Sequence, residues 1–308
     1  MTSSSTAQSM TADAMAATPT IRARPNLFAK LELFNPGGSH KMRAARRVVA
    51  RAIQSGDLTP HGPRRIIEKS GGNFGVGLAY EASRHGIGVD LVIGLSFSPL
   101  KRALCQEYGA RLIGVDLMRQ GLQPKEVITK FLADEPDLYY FTDQFSNPGN
   151  IEAHLQETGP ELAAQLRPHL DQYKGCILVV AAGTGASASG VSEAMKARIP
   201  GLKVVLNQPQ GCCYRTGVYA DHAQKGTAVG VAPPFLDLNA LDRIETVSDA
   251  DARLGQRLFA ADTGIFPGPS AGGNYVLARR IAERCPDHLV ATLIYDAGEG
   301  YLDAAKAA

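Results

Sequence analysis

From Leu27 onward, short apolar runs alternate with stretches whose apolar residues recur at helical spacing. "LFAKLEL" (27–33), "RRIIEKS" (64–70) and "VDLVIGL" (89–95) predict strands. "HKMRAARRVVARAI" (40–53), with Met42, Ala45, Val49 and Ile53 on one face, predicts a helix. "FGVGLAYEASRHG" (74–86) predicts a helix stopped by Gly86, and "SPLKRALCQEYG" (98–109) one begun by a Ser-Pro start signal. "ARLIGVD", a helix near 123–134 and "DLYYF" continue the rhythm. A turn-rich break, "DQFSNPGN" (143–150), precedes a helix over 150–167 that Gly159-Pro160 should interrupt. "GCILVVAAGTGASASG" (175–190) predicts strand, loop and helix, and "LKVVLNQP" and "LVATLIYDAGEG" predict further strands. Such alternation implies an α/β fold of parallel sheets flanked by helices. Residues 46–148 and 149–308 each hold enough strands for a sheet. Residues 209–242 are the least periodic part, and a long irregular insert in an α/β enzyme is commonly functional.

Composition narrows the function classes. At roughly 150 residues per domain, 308 residues suggest two domains or one large α/β unit. A net charge of +2 provides no broad field for nucleic acid or a membrane surface, which leaves small-molecule work. No apolar run approaches the ~18 residues of a membrane span. Five cysteines without CxxC spacing fit reduced thiols in a cytoplasm and no metal site. The first 17 residues, rich in Ser, Thr and Ala and without basic charge, read as a flexible tail.

Three loops and one lysine carry candidate chemistry. In "VVAAGTGASASGV" a strand ends at Ala182, and Gly183, Thr184 and Gly185 open a helix through Ala186, Ser187 and Ser189. Small residues let backbone close on an anion, and a helix N-terminus offers free N–H groups. The pattern is neither a Walker loop nor a dinucleotide fingerprint. "EKSGGNFGVG" presents Ser70, Gly71, Gly72 and Asn73, which suit a carboxylate or a plain helix cap. "FPGPSAGG" places Ser270 at another helix start, where it suits either a ligand or an N-cap. Lys41 closes "NPGGSHKMR" among Arg43, Arg46 and Arg47. Burial or nearby cations would depress its pKa and make it a nucleophile, whereas exposure would make it ordinary. Together, a lysine, a phosphate cup, a carboxylate loop and a late serine are the parts needed to hold pyridoxal phosphate and an amino acid.

The chain resembles the pyridoxal-phosphate enzymes of the tryptophan-synthase-β type, and within them the cysteine synthase and cystathionine β-synthase group. The resemblance runs from about Thr18 to Tyr301. It rests on "AKLELFNPGGSHKMRAA", "SGGNFGVGLA", "DQFSNPGNIEAHLQETGPEL", "GTGASASGV", "GPSAGG" and "DAGEGYL", in the family's order. It implies the tryptophan synthase β-like fold of two three-layer domains. The larger, cofactor-binding domain takes 18–45 and 149–308, and the smaller, substrate-loop domain takes 46–148. It implies Lys41 as the Schiff-base lysine, Asn73 at the ring oxygen, Gly183 to Ser187 at the phosphate and Ser270 at the pyridine nitrogen. His40, before the lysine as in tryptophan synthase β, is expected near the phosphate. Ser70, Gly71, Gly72 and Asn73 are expected at the substrate carboxylate. His40, Met42 and the second glycine Gly72 depart from the group's common motifs, and the family's later glycine-rich lysine motif is replaced by "QGCCYRTGVY". The implied reaction is β-replacement on L-serine or an O-activated L-serine through an aminoacrylate intermediate, with a small nucleophile as second substrate and a homodimer as the assembly. A serine/threonine dehydratase and a non-catalytic homologue are the alternatives. Cys212 and Cys213 lie in the irregular insert.

Overall fold

Two sheets organise the chain. The computed structural model describes residues 16–94 and 98–302; most of the expected 1–17 tail lies outside the described residues. The chain opens with β1 (Thr20–Arg24) and β2 (Leu27–Leu31), then α1 (Lys41–Gln54). Next come β3 (Arg65–Glu68), α2 (Asn73–Arg84), β4 (Val89–Leu91), α3 (Pro99–Glu107), β5 (Arg111–Leu112), α4 (Val115–Arg119), α5 (Pro124–Asp134) and β6 (Tyr139–Phe141). The remainder is α6 (Gly149–Ala153), α7 (Gly159–Leu170), β7 (Gly175–Ala181), α8 (Ala186–Lys196), β8 (Lys203–Pro209), β9 (Arg243–Val247), α9 (Asp249–Thr263), α10 (Pro269–Arg284) and β10 (His288–Ile294).

The larger sheet runs β1-β2-β10-β7-β8-β9, and the smaller runs β5-β4-β3-β6. All pairings are parallel except the β1–β2 hairpin at one edge. Central strands such as Leu178, Val179 and Val180 are buried on both faces, as parallel sheets require. Leu162 and Leu166 of α7 and Val191 and Met195 of α8 cover one face of the larger sheet. Phe259 of α9 and Tyr275 and Ile281 of α10 cover the other. The smaller sheet lies between α1, α2 and α3 on one side and Met118, Val127 and Ile128 of α4 and α5 on the other. Each sheet is thus the middle of three layers.

Three expectations change. The predicted strand at 89–95, whose last residue lies outside the described residues, is Val89–Leu91, and the one around "ARLIGVD" shortens to Arg111–Leu112 because Val115–Arg119 turns into a helix. The helix after residue 149 is not interrupted at Gly159-Pro160. Helical backbone continues through it because a π turn over His154–Thr158 joins α6 to α7 and accommodates Pro160, which lacks an N–H, in the first turn of α7. Gly159 allows the helices to close, since a Cβ there would lie 2.5 Å from Ala194 Cβ. The 209–242 stretch is mostly irregular once β8 ends, as its lack of periodicity suggested.

Candidate active site

In open α/β sheets, ligand-binding loops gather at the carboxyl ends of the strands. Here they meet on the two residues that follow β10. The backbone N–H of His40, immediately before Lys41, donates to the Tyr295 carbonyl at 2.9 Å, and Ser39 forms an isolated bridge with Asp296. The Tyr295 hydroxyl accepts from the Ala181 N–H at 2.9 Å and donates to the Ala181 carbonyl at 3.1 Å, which fixes the end of β7. Asn73 Nδ2 donates to Asp296 Oδ2 at 2.7 Å. The Gly268 N–H donates to the Asp296 carbonyl at 2.8 Å, tying in the start of α10 and the buried Ser270. Gly268 is required there: a Cβ would fall 2.0 Å from Asp296 Oδ1. The lysine loop, the 70–73 loop and the Ser270 loop are therefore held by one dipeptide, which also fixes the strand end that leads into the 183–187 loop.

Lys41 begins α1 and is half-buried. Burial lowers its amine to about 8, and the charge of Glu68 opposes part of that shift. The neighbouring arginines are not the cause. Arg43 is engaged with Glu32 and Glu161, Arg46 with Glu157 and Arg51 with Glu152. Glu68, at the end of β3, is fully buried and its carboxyl is pushed up to about 7 by desolvation. That rise persists although Glu68 accepts from the Thr142 hydroxyl at 2.6 Å and from the N–H groups of Lys69 and Gln144.

Two imidazoles stand beside Lys41. The rings of His40 and His154 are 5.7 Å apart, and burial, then the Lys41 charge, holds both well below the usual histidine range. Among the described residues, His40 Nδ1 and His154 Nε2 are buried without hydrogen-bond partners. His154 belongs to the π turn, a widened helix turn of the kind often found at functional sites.

The 183–187 loop turns through Gly185, whose φ of +88° suits glycine, and α8 starts without a side-chain cap. Among the described residues, Ser187 Oγ is buried without a hydrogen-bond partner. Thr184 is buried, its hydroxyl accepting from Asn150 Nδ2 at 3.2 Å and from the Ala186 N–H at 3.4 Å. The irregular insert closes over this loop. Ala228 N–H donates to the Ala182 carbonyl at 2.9 Å and Phe235 N–H to the Thr184 carbonyl at 3.1 Å. A Cβ at Gly183 would meet the Gly226 carbonyl at 2.2 Å.

In the 70–73 loop, Ser70 Oγ accepts from the Gly75 N–H at 3.1 Å, so it supports the start of α2 while keeping its own proton free to donate. Gly71 is buried and Gly72 is the residue before α2. Pattern reasoning singled out neither Tyr295, Asp296, Glu68 nor His154. An acid closing an apolar strand, as in "LIYDAG" and "RIIEKS", is the signal that marks Asp296 and Glu68.

The unpartnered Ser187 hydroxyl, an uncapped helix start, two bare imidazole nitrogens and a basic amine that is easily neutralised suit an aldehyde carrying a phosphate. A family model described as pyridoxal-phosphate dependent enzyme matches residues 12–296. The chain belongs to that family. It is 34% identical over 304 residues to a probable cysteine synthase of Bacillus subtilis, covering 95% of each chain. It is 31% identical to the O-ureido-L-serine synthase of Streptomyces lavendulae, over 94% of this chain and 90% of that one. The solved O-ureido-L-serine synthase superposes with a TM-score of 0.83 at 30% identity, covering 95% of this chain and 96% of the other. The O-acetylserine dependent cystathionine β-synthase of Helicobacter pylori superposes at 0.79 with 29% identity, covering 94% and 96%. The chain is a cysteine synthase-like enzyme with the tryptophan synthase β-like fold, and its cofactor is pyridoxal phosphate. Among the described residues no helix is long and apolar enough to cross a membrane.

Proposed function

We propose that this enzyme carries out β-replacement on L-serine or an O-activated L-serine, with Lys41 holding the cofactor and moving the proton at the substrate α-carbon. The observation that carries this reading is the Lys41 amine, lowered to about 8, seated where four loops meet on Tyr295 and Asp296. Relatives named for cysteine, O-ureido-L-serine and O-acetylserine chemistry support the choice of an O-activated serine.

Bound pyridoxal phosphate supplies an electron sink for charge developing at the α-carbon. The N–H groups of Gly183 to Ser187 and the Ser187 hydroxyl bind the phosphate. His40 and His154, neutral at working pH, each bring a bare nitrogen to the same region. Asn73 has two amide protons. One lies on Asp296, which orients the side chain, and the other serves the ring oxygen. Ser70, Gly71, Gly72 and Asn73 grip the substrate carboxylate through N–H groups and the Ser70 hydroxyl. Ser270 offers a neutral hydroxyl to the ring nitrogen, which favours elimination and replacement over transamination. Near pH 8 a sizeable share of Lys41 is neutral and fit to take a proton. We assign the larger sheet to a cofactor-binding domain (18–45 and 149–308) and the smaller to a substrate-loop domain (46–148) that closes to exclude water. A homodimer is in keeping with the family, and a cytoplasmic site is in keeping with five free cysteines.

Lys41→Ala is expected to abolish turnover, together with the visible absorbance of the bound cofactor and its borohydride-trappable link to the chain. Normal turnover by that variant would end the proposal. Product analysis with O-acetyl-L-serine, with and without added thiol, distinguishes replacement from elimination to a keto acid.

A further inference from the structure

A cleft of about 420 Å³ opens beside the 70–73 loop, within the range of small-molecule sites. Its walls come from three segments already tied to the centre. Lys69 immediately precedes Ser70. Phe145 and Ser146 follow Gln144, whose N–H is held by Glu68. Val229, Val231, Ala232 and Pro234 belong to the insert stretch that is pinned at Ala228 and Phe235 over the 183–187 loop. The cleft is therefore lined by a neighbour of the substrate loop and by the insert that covers the phosphate loop.

Its chemistry is lopsided. The Lys69 ammonium is half-buried and sits 5.7 Å from the Phe145 ring centroid. Among the described residues it has no carboxylate partner. The rest of the lining is largely apolar, and Val229 and Val231 are 38% and 49% exposed. A lone cation facing apolar side chains complements an anion with a short hydrocarbon body. Hydrosulfide would leave the apolar wall unused. The carboxylate of the first substrate belongs to the 70–73 loop, so a second carboxylate must come from a second molecule.

We propose that this cleft receives the nucleophile, and that the nucleophile is a small organic thiol or amine bearing a carboxylate, read by Lys69. The inference rests on the β-replacement reading and adds the class of its second substrate. The experiment uses the cofactor-loaded enzyme with saturating O-acetyl-L-serine, and compares 3-mercaptopropionate with the neutral, similarly sized 2-mercaptoethanol. The quantity read is the ratio of kcat/KM for the two thiols, after correction for thiolate fraction, so any general loss in a variant cancels. A charge-assisted hydrogen bond to one half-buried ammonium predicts a preference of roughly tenfold for the anionic thiol. Salt weakens that preference. Lys69→Met brings the ratio close to one, and Lys69→Arg retains most of it. A wild-type ratio near one, or a ratio unchanged by Lys69→Met, overturns this inference and leaves β-replacement standing. Absence of replacement product with both thiols and with hydrosulfide overturns the reaction as well.

Discussion

Replacing Arg43 tests how the lysine's seat is built. Arg43 is fully buried two residues after Lys41. It donates to both Glu32 oxygens at 2.8 and 2.9 Å, to both Glu161 oxygens at 2.7 Å and to the Thr18 hydroxyl at 3.2 Å. This joins the first turn of α1 to the chain after β2 and to α7. Arg43→Met fills similar volume but leaves Glu32, itself fully buried, facing no cation in contact. Removing one partner of a buried ion pair costs about 3–5 kcal/mol. Lys30, 2.9 Å from Glu161, still neutralises that second carboxylate, so the lower half of the range applies. Against a total stability of about 5–15 kcal/mol, this is a large fraction. At about 2–4 °C per kcal/mol, it lowers the melting temperature by roughly 6–15 °C. Thermal unfolding of the cofactor-free protein measures it, and a spectral titration with pyridoxal phosphate reports the accompanying drift of Lys41. The decisive comparison is the double variant Glu32→Gln with Arg43→Met, in which the stranded charge is gone. It should be more stable than the single variant. A single variant melting within about 2 °C of wild type, or a double variant no better than the single, refutes the reasoning.

Three further outcomes follow from the same geometry. Glu68 has a folded-state pKa of about 7, above its ordinary 4.5, so its contribution to stability is present below about 4.5 and is lost as pH rises through 7. Glu68→Gln should remove that decline in urea unfolding series between pH 4 and 8. It should also move the pH profile of borohydride trapping at Lys41 downward, since the Glu68 charge supports the protonated amine; an unmoved profile contradicts the coupling. Gly183→Ala drives a methyl group into the Gly226 carbonyl, and overpacking of about 1–3 kcal/mol should weaken cofactor affinity roughly 10- to 100-fold in a fluorescence titration. An unchanged Kd would mean that the insert does not shape the phosphate loop. With limiting iodoacetamide near pH 8, mass mapping should find Cys213 labelled first, because hydrogen bonds from Thr216 and Arg215 favour its thiolate. Burial pushes Cys105 up to about 11 and Cys176 up to about 12, and earlier labelling of either would contradict this order.

The sequence was most legible where one physical rule governs a segment. The apolar run 177–182 could only be an interior strand, and the glycines after it could only be a turn into a helix. Lys41, Ser70, Asn73, Gly183 and Ser270 were legible as a set because each stands at the mouth of a helix. The cause of the Lys41 shift was not legible. Its arginine neighbours suggested charge repulsion, yet Arg43 and Arg46 are occupied by Glu32 and by acids 111 or more positions away, Arg47 bonds Gln156, and desolvation does the lowering. β9 and α9 were missed because "RIETV" and the polar-rich "DADARLGQRLFAADT" carry weak periodicity and are fixed by docking on β8 and α10. The roles of Tyr295 and Asp296 were hidden for a related reason. They act through contacts to residues 39, 73, 181 and 268, which no local pattern records.

The position of β10 has a consequence for how the enzyme matures. β10, last in chain order among the described strands, is inserted between β2 and β7, in the interior of the larger sheet. A ribosome-bound chain that has already emitted its lysine still lacks the dipeptide that clamps every loop around it. Vitamin capture must therefore await synthesis past residue 296, and fragments ending before residue 295 should emerge colourless however well their smaller sheet folds.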